Sequence, residues 1–439
     1  MNILKKWPVI GCVIAAAVLA GCGGSSGSSG SASLRLVNAT LTHPSLDLLV
    51  NAGVAVSATG FDNASVSVAA AAGNEPLQLN DAGTATALVS TIVALTSGQH
   101  YTLLAYESGG TVKTEMLNED FAAPAAGTAQ LRILDAATDA GALDVYVTSD
   151  TTTRWDTYLA SVASPTTTVT ANSSPSSSAW GLYAPGTYRV FVTGAGNKAD
   201  LRNGFAGTTV TLASLQIGTV VLTPASGGVL LNGSAVIQQG TYAATRNTTA
   251  RLRLVGAVSG NGKVAATAAA TTIDAGNVSP TVGDYVVVPA ASVLTVDVNG
   301  SPVAAPAAVL TTGGDATLLV YGDPVAATAS LITDDNRRPS LSTNVRIRLL
   351  NGLTGTPGAL SLAANFTSLA SGVAAGTASS YGLVAGSTAM RLDVTSALSP
   401  TALYSESALN IGSDKVYTLF MLGDLAAPRA MVVKDSKDR

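Results

Sequence analysis

The sequence predicts an all-β chain of about four tandem immunoglobulin-like antiparallel β-sandwich repeats, placed behind a signal peptide and a flexible linker. Three observations predict it: fourfold repetition, strand-period alternation, and no capped helical period after residue 21. Four segments open alike, LRLVNA from Leu34, LRILDA from Leu131, LRLVGA from Leu252 and IRLLNG from Ile347, at spacings of 97, 121 and 95 residues. A second landmark recurs as WGLYAPGTYRVFVTG from Trp180 and YGLVAGSTAMRLDVTS from Tyr381, and a closing hairpin as YTLLAYESGGTVKTEML from Tyr101 and YTLFMLGDLAAPRAMVV from Tyr417. The order never changes. Repeats are therefore expected over residues 34–129, 130–249, 250–344 and 345–439, with the extra length of the second copy placed in the polar loop at residues 166–179.

Within each copy, apolar residues alternate as a half-buried strand requires: Leu46, Leu48 and Val50 point one way, Asp47 and Leu49 the other. NAG, GNEP, ESGG, APG, VNG and YGDP read as turns between such runs, which gives about seven strands in roughly 95 residues, as a sandwich needs. A propeller blade would repeat at about 40–50 residues, and no such sub-repeat is present.

The N-terminus reads as an export signal over residues 1–21. Lys5 and Lys6 precede an apolar run at residues 9–20, which is shorter than the roughly 20 helical residues that span a bilayer. Leu19, Ala20, Gly21 and Cys22 resemble the lipobox of bacterial lipoproteins. The resemblance implies cleavage between Gly21 and Cys22 and acylation of Cys22, with Gly23 rather than an acid after it favouring the outer membrane. Residues 22–33 form the lipidated cysteine and a Gly/Ser tether, which lifts the first domain on the order of 20 Å from the lipid. Cys12 leaves with the signal, so no intramolecular disulfide is available to the mature chain.

Formal net charge is −4, and loss of Lys5 and Lys6 makes it −6. An acidic chain is a poor partner for nucleic acid.

Several landmarks also resemble a bacterial family, the domain of unknown function numbered 4397, whose units carry an opening LRVVHA-like strand, an acidic VDVYV-like strand and a PAGTY turn. SLDLLVN from Ser45, ALDVYVT from Ala142 and APGTYRVFV from Ala184 match best, whereas the third and fourth copies read KVAATAAAT and ALSLAAN at the acidic strand. The resemblance implies a β-sandwich envelope protein and supplies no catalytic residue.

Arg35, Arg132, Arg253 and Arg348 hold the second position of the four opening strands, facing away from the core. Structural ion pairs are expected with Asp47, Asp144, Asp297 and Asp393, acids on nearby strands. The two histidines, His43 and His100, sit in turn-like contexts and outside any catalytic or metal-ligand spacing. Asp334 and Asp335 are the densest acidic spot, but Arg337 and Arg338 beside them and the lack of a DxDxDG loop argue against Ca²⁺. Trp155 and Trp180 flank the expected insertion and offer a glycan platform, with core packing as the plainer reading.

The sequence thus points to a non-enzymatic envelope lipoprotein without cofactors, catalytic residues or metal. Its partners are the membrane, through the N-terminal lipid, and an envelope protein or glycan. The alternative is a carbohydrate-binding or carbohydrate-active protein that uses the second repeat's insertion.

Overall fold

The computed structural model describes residues 30–171, 174–355 and 358–435. The expected cleavage and lipidation positions, Gly21 and Cys22, lie outside the described residues. Among those described, no helix is long and apolar enough to cross a membrane.

Alternating apolar residues build eight sheets that face each other in four sandwich pairs. In the first, one sheet orders Asn63–Ala64 and Val68–Ala71, then Ser31–Ala39, His100–Ser108 and Thr111–Asn118; its partner orders Gly53–Gly60, Ser45–Val50, Gly73–Asp81 and Ala87–Leu95. Leu34 and Leu36 from one sheet meet Leu46, Leu48, Leu77 and Leu79 from the other in a dry interior, where each fully buried Leu stabilises by about 1.5–3 kcal/mol. The same plan recurs around Ile133, Val145 and Val190, around Leu254, Val264 and Val296, and around Leu349, Leu362 and Leu392.

One pairing was not visible in the alternation. Each opening strand runs parallel to the first strand of its own closing hairpin, Ser31–Ala39 beside His100–Ser108 and likewise in the other three copies. Among the described residues, all other pairings are antiparallel. Period-2 alternation fixes which face a side chain takes and carries no information on strand direction.

The turn chemistry mostly holds. Asn51 and Ala52, and again Asn299 and Gly300, adopt positive φ in two-residue hairpin turns. GNEP is a correction: it opens the strand Gly73–Asp81 rather than a turn. Pro76 is tolerated there because the neighbouring strand Ser45–Val50 pairs only from Leu77 onward, so no ladder donor is missed on that side.

The sheets that contain the opening strands are buried on both faces, which explains their near-continuous apolar character. Val37, Leu104, Tyr106 and Leu117 of the first sandwich pack on Leu134, Val221 and Val236 of the second. Val255 and Leu319 of the third meet Leu350, Phe420 and Leu422 of the fourth in the same way. The two pairs join through polar contacts: the Gly227 amide donates to the Gly313 carbonyl at 2.9 Å, and the Arg338 amide to Asp139 at 3.2 Å.

Candidate functional site: a cleft between the second and third repeats

The second repeat departs from its siblings at two places, and neither is the loop at residues 166–179. Its first hairpin, a two-residue turn in the first sandwich, is replaced by residues 149–166, and its last strand is interrupted at residues 202–207 between Asn197–Leu201 and Thr208–Leu212. The first excursion contains a helix, Trp155–Ser161, which corrects the expectation of none. The residue that precedes it at the cap position is Arg154, which makes no side-chain capping hydrogen bond, so the usual start signal is missing from the sequence.

Local chemistry shapes the first excursion. Asp150 accepts hydrogen bonds from the amides of Thr152 and Thr153 and from both hydroxyls, led by that of Thr153, and these hold its carboxyl far below the usual range. Arg189 ties the loop to the sheet, donating to the carbonyls of Asp150, at 3.0 Å, and Thr153. Leu159 then seats the helix on Tyr146, Phe191 and Leu201, a small apolar cluster on the outer face of the sheet. Phe205, from the second excursion, stacks on Trp155 with centroids 5.4 Å apart and planes 16° from parallel.

Between this aromatic pair and the third repeat lies a cleft of about 870 Å³. The second repeat contributes Trp155, Phe205, Arg154, Arg189 and Asp200; the third contributes Thr271, Asp284 and Tyr285. The charged groups from the second repeat are engaged already. Arg154 grips Asp156 with two hydrogen bonds, and Asp200 accepts from the buried Arg202 at 2.7 Å. Tyr285 links the cleft to the protein interior. Its ring lies 4.5 Å from the Arg251 guanidinium and 4.6 Å from that of Arg253, and its hydroxyl donates to Asp334 at 2.6 Å. Burial pushes that phenol well above its ordinary range.

Trp180 does not share the cleft with Trp155, so the two tryptophans form no common platform. Trp180 sits at the junction of the first two sandwiches, edge-on to Phe121 at 5.2 Å and 4.5 Å from the Arg132 guanidinium.

The expected pairs of opening-strand arginines with Asp47, Asp144, Asp297 and Asp393 are replaced by others. The arginines do face away from the sandwich interior, but those acids belong to the opposite sheet of each sandwich. Each arginine lies in register with a threonine on the parallel strand: Arg35 with Thr102, Arg132 with Thr219, Arg253 with Thr317 and Arg348 with Thr418. In three copies an acid at or just past the end of the closing hairpin completes the set. Arg35 meets Glu119 at 2.8 Å, Arg253 meets Asp435 of the fourth repeat at 2.5 Å, and Arg348 meets Asp334 of the third. Burial alone would raise Asp334, yet Arg348 and Arg253 more than offset it and hold the carboxyl below its usual range.

The displaced acids have other work. Asp47 accepts the amides of Ala58 and Gly83, and Asp144 the Gly196 amide and the Thr168 hydroxyl, so both pin the far hairpin of their sheet. Asp393 is gripped by Arg391, and Asp297 lies in register with Ala265. Asp335 is held by Arg337 and Arg346. His43 bonds Asp81 at 2.7 Å and His100 bonds Asp120 at 2.9 Å, both in the first repeat.

Arg189, Asp200, Phe205, Asp284 and Tyr285 were missed by the sequence reading. The signal for Phe205 is ADLRNGFAG, which breaks strand alternation between Asn197–Leu201 and Thr208–Leu212. The signal for the junction acids is a constant interval, 17 residues from Thr102 to Glu119, Thr317 to Asp334 and Thr418 to Asp435.

No curated protein matches the sequence. Among solved structures, a proposed cell-adhesion protein from Bacteroides uniformis is 12% identical, covering 48% of this chain and 99% of its own, with a TM-score of 0.22. The TIE protein of Bacillus anthracis is 8% identical over 86% of this chain and 65% of its own, with a TM-score of 0.14. Likeness this loose carries no argument about role. The resemblance read from the opening and acidic motifs is matched more directly: residues 32–146, the first sandwich and the first two strands of the second, fit the family described as Domain of unknown function (DUF4397), and the turn motif at Ala184 lies beyond the matched residues.

Proposed function

We propose that the chain is a non-enzymatic lipoprotein of the bacterial cell envelope, cleaved after Gly21 and held at the outer membrane by acyl chains on Cys22. Its joined sandwiches act as an interaction module that engages a ligand through the cleft between the second and third repeats. The observation that carries this reading is the cleft itself. One repeat of four has grown two excursions, and both line the same cavity. Loops on a rigid sheet scaffold are where binding residues concentrate. The non-enzymatic part is supported by the position of both histidines, tied to carboxylates outside the cleft, and by Asp200, whose carboxylate is engaged by Arg202.

Expression of the full chain in a proteobacterial host tests the anchor. The wild type is expected in the outer-membrane fraction with an acylated N-terminal peptide, and Cys22→Ser in the soluble periplasmic fraction. Wild-type protein recovered soluble and unacylated overturns it.

A further inference from the structure

We infer that the cleft between the second and third repeats is a binding site for a neutral saccharide, an inference that rests on the cleft being the module's binding site. The stacked Trp155 and Phe205 supply an apolar wall of the kind on which the C–H face of a pyranose ring packs. The opposite requirement of a sugar, many hydroxyls each needing a partner, is met by a carboxylate, an amide and a hydroxyl around that wall, Asp284, Asn197 and Thr271, with Asp200 and Thr152 adding acceptor oxygens beside their bonds to Arg202 and Asp150. A volume of about 870 Å³ falls within the range of small-ligand sites, about 300–1,000 Å³, and takes a short oligosaccharide rather than a single ring.

Other ligand classes fit the lining less well. A phosphate or sulfate group needs a cation to spare, but Arg189 is spent on two backbone carbonyls and the exposed Arg154 shares its charge with Asp156, while Asp284 and the Arg202-paired Asp200 leave the lining without a positive balance. A lipid tail needs a continuous apolar lining, which those two carboxylates and the threonines interrupt. A neutral polyol with one apolar face satisfies both halves of the cleft. The placement of its pieces adds to this. The aromatic wall stands on the second repeat and Asp284 on the third, two sandwiches held by the Gly227–Gly313 and Ser226–Thr312 hydrogen bonds, so the groups are fixed before a ligand arrives.

The test uses the chain from residue 30 onward, which contains all four sandwiches and only two tryptophans, Trp155 and Trp180. In a Trp180→Phe background, Trp155 is the sole indole. Titration with neutral oligosaccharides (gluco-, manno-, galacto- and N-acetylglucosamine series) should shift its fluorescence saturably for at least one series. The affinity should stay within about twofold between low salt and 0.5 M salt. Trp155→Ala and Phe205→Ala, each checked for an unchanged unfolding midpoint, should weaken calorimetric binding at least about tenfold, and Trp180→Ala should not. Saccharide binding that survives both cleft variants overturns the site. Binding confined to sulfated or uronic glycans, with a steep loss in salt, overturns the neutral class and leaves the cleft standing as a binding site. If neither neutral nor charged glycans change Trp155 emission but a peptide library does, the saccharide inference falls and the interaction reading survives; silence to all three probes removes both. The Cys22 fractionation result is independent of every one of these outcomes.

Discussion

The junction between the first two sandwiches and the junction between the last two use the same strand positions and solve them with different chemistry. In the later pair the solution is reciprocal. Arg253 takes its own Thr317 and the fourth repeat's Asp435, and Arg348 takes its own Thr418 and the third repeat's Asp334. Tyr285 stacks over Arg253 and Tyr381 over Arg348. In the earlier pair the solution is lopsided. Arg35 bonds its own Thr102 and Glu119 and the second repeat's Gly240 and Ile237 carbonyls, whereas the half-buried Arg132 bonds its own Thr219, lies between the rings of Phe121 and Trp180 and feels the charge of the first repeat's Glu115, with Gln238 where an acid stands in the other copies. The repeat fixes where an arginine must be neutralised, and the neighbour decides how. A cation buried between two repeats can be matched by a carboxylate or by carbonyls, but not left alone, and a half-buried one can add aromatic faces.

The largest expected effect breaks the reciprocal junction. Asp334→Asn leaves Arg348 buried without its counter-charge and is expected to cost about 3–5 kcal/mol, read as early loss of hydrogen-exchange protection in Thr249–Val258 and Asn344–Thr354 while Ser31–Ala39 stays protected. Glu119→Gln should cost about half as much, because the Gly240 and Ile237 carbonyls still receive Arg35. Equal losses would erase the distinction between the junctions.

A pH series sharpens the comparison from the other side. At the end of the opening strand stand Asn38, Asp135, Gly256 and Asn351. Burial, only partly offset by the Ala137 and Ala171 amides, pushes Asp135 up to about 7; burial likewise pushes Asp139 up to about 6, against the Arg338 amide and charge. With an unfolded value of about 3.9, the folded chain holds protons that the unfolded chain has released. Stability therefore falls as pH rises from about 4 to 7, by roughly 4 kcal/mol at most through Asp135 and roughly 3 kcal/mol at most through Asp139, and levels off above. Asp135→Asn should flatten that slope in denaturant titrations at pH 5 and pH 8. An unchanged slope rejects this assignment.

Trp180→Ala removes the aromatic half of the earlier junction and is expected to cost about 1–2 kcal/mol, seen in the unfolding midpoint. Asp393→Ala and Asp297→Ala should leave the midpoint where it is. Asp393 pairs with the exposed Arg391 on the surface, and such pairs contribute little.

The interior was legible wherever one face of a strand was wet. Leu46, Leu48 and Val50 announce their face by alternation, and the four opening motifs announce the copies. Three things were not legible. Arg35 and its counterparts were correctly turned outward, but outward proved to be a second interface, and its partners lie on strands that only the packing of two repeats brings together. The helix Trp155–Ser161 is seven residues long and lacks a capping side chain, so it gives neither period nor start signal. The cleft needs Phe205 and Tyr285, 80 positions apart by number and in different repeats, which no spacing rule connects.

The parallel strand in each sandwich sets the order in which the molecule can complete itself. Arg35 and Thr102 are separated by 67 residues, Arg132 and Thr219 by 87, and the later two pairs by 64 and 70. An opening strand made first must wait for nearly its whole repeat before its central neighbour exists, which is slow, non-local closure. In a chain that emerges N-terminus first, the face holding Val37 and Leu104 stays wet longer still, until the second repeat's hairpin arrives with Val221 and Val236. The smallest self-sufficient piece of this protein is therefore a pair of repeats, and a break in synthesis inside a pair leaves a greasy sheet with nothing to cover it.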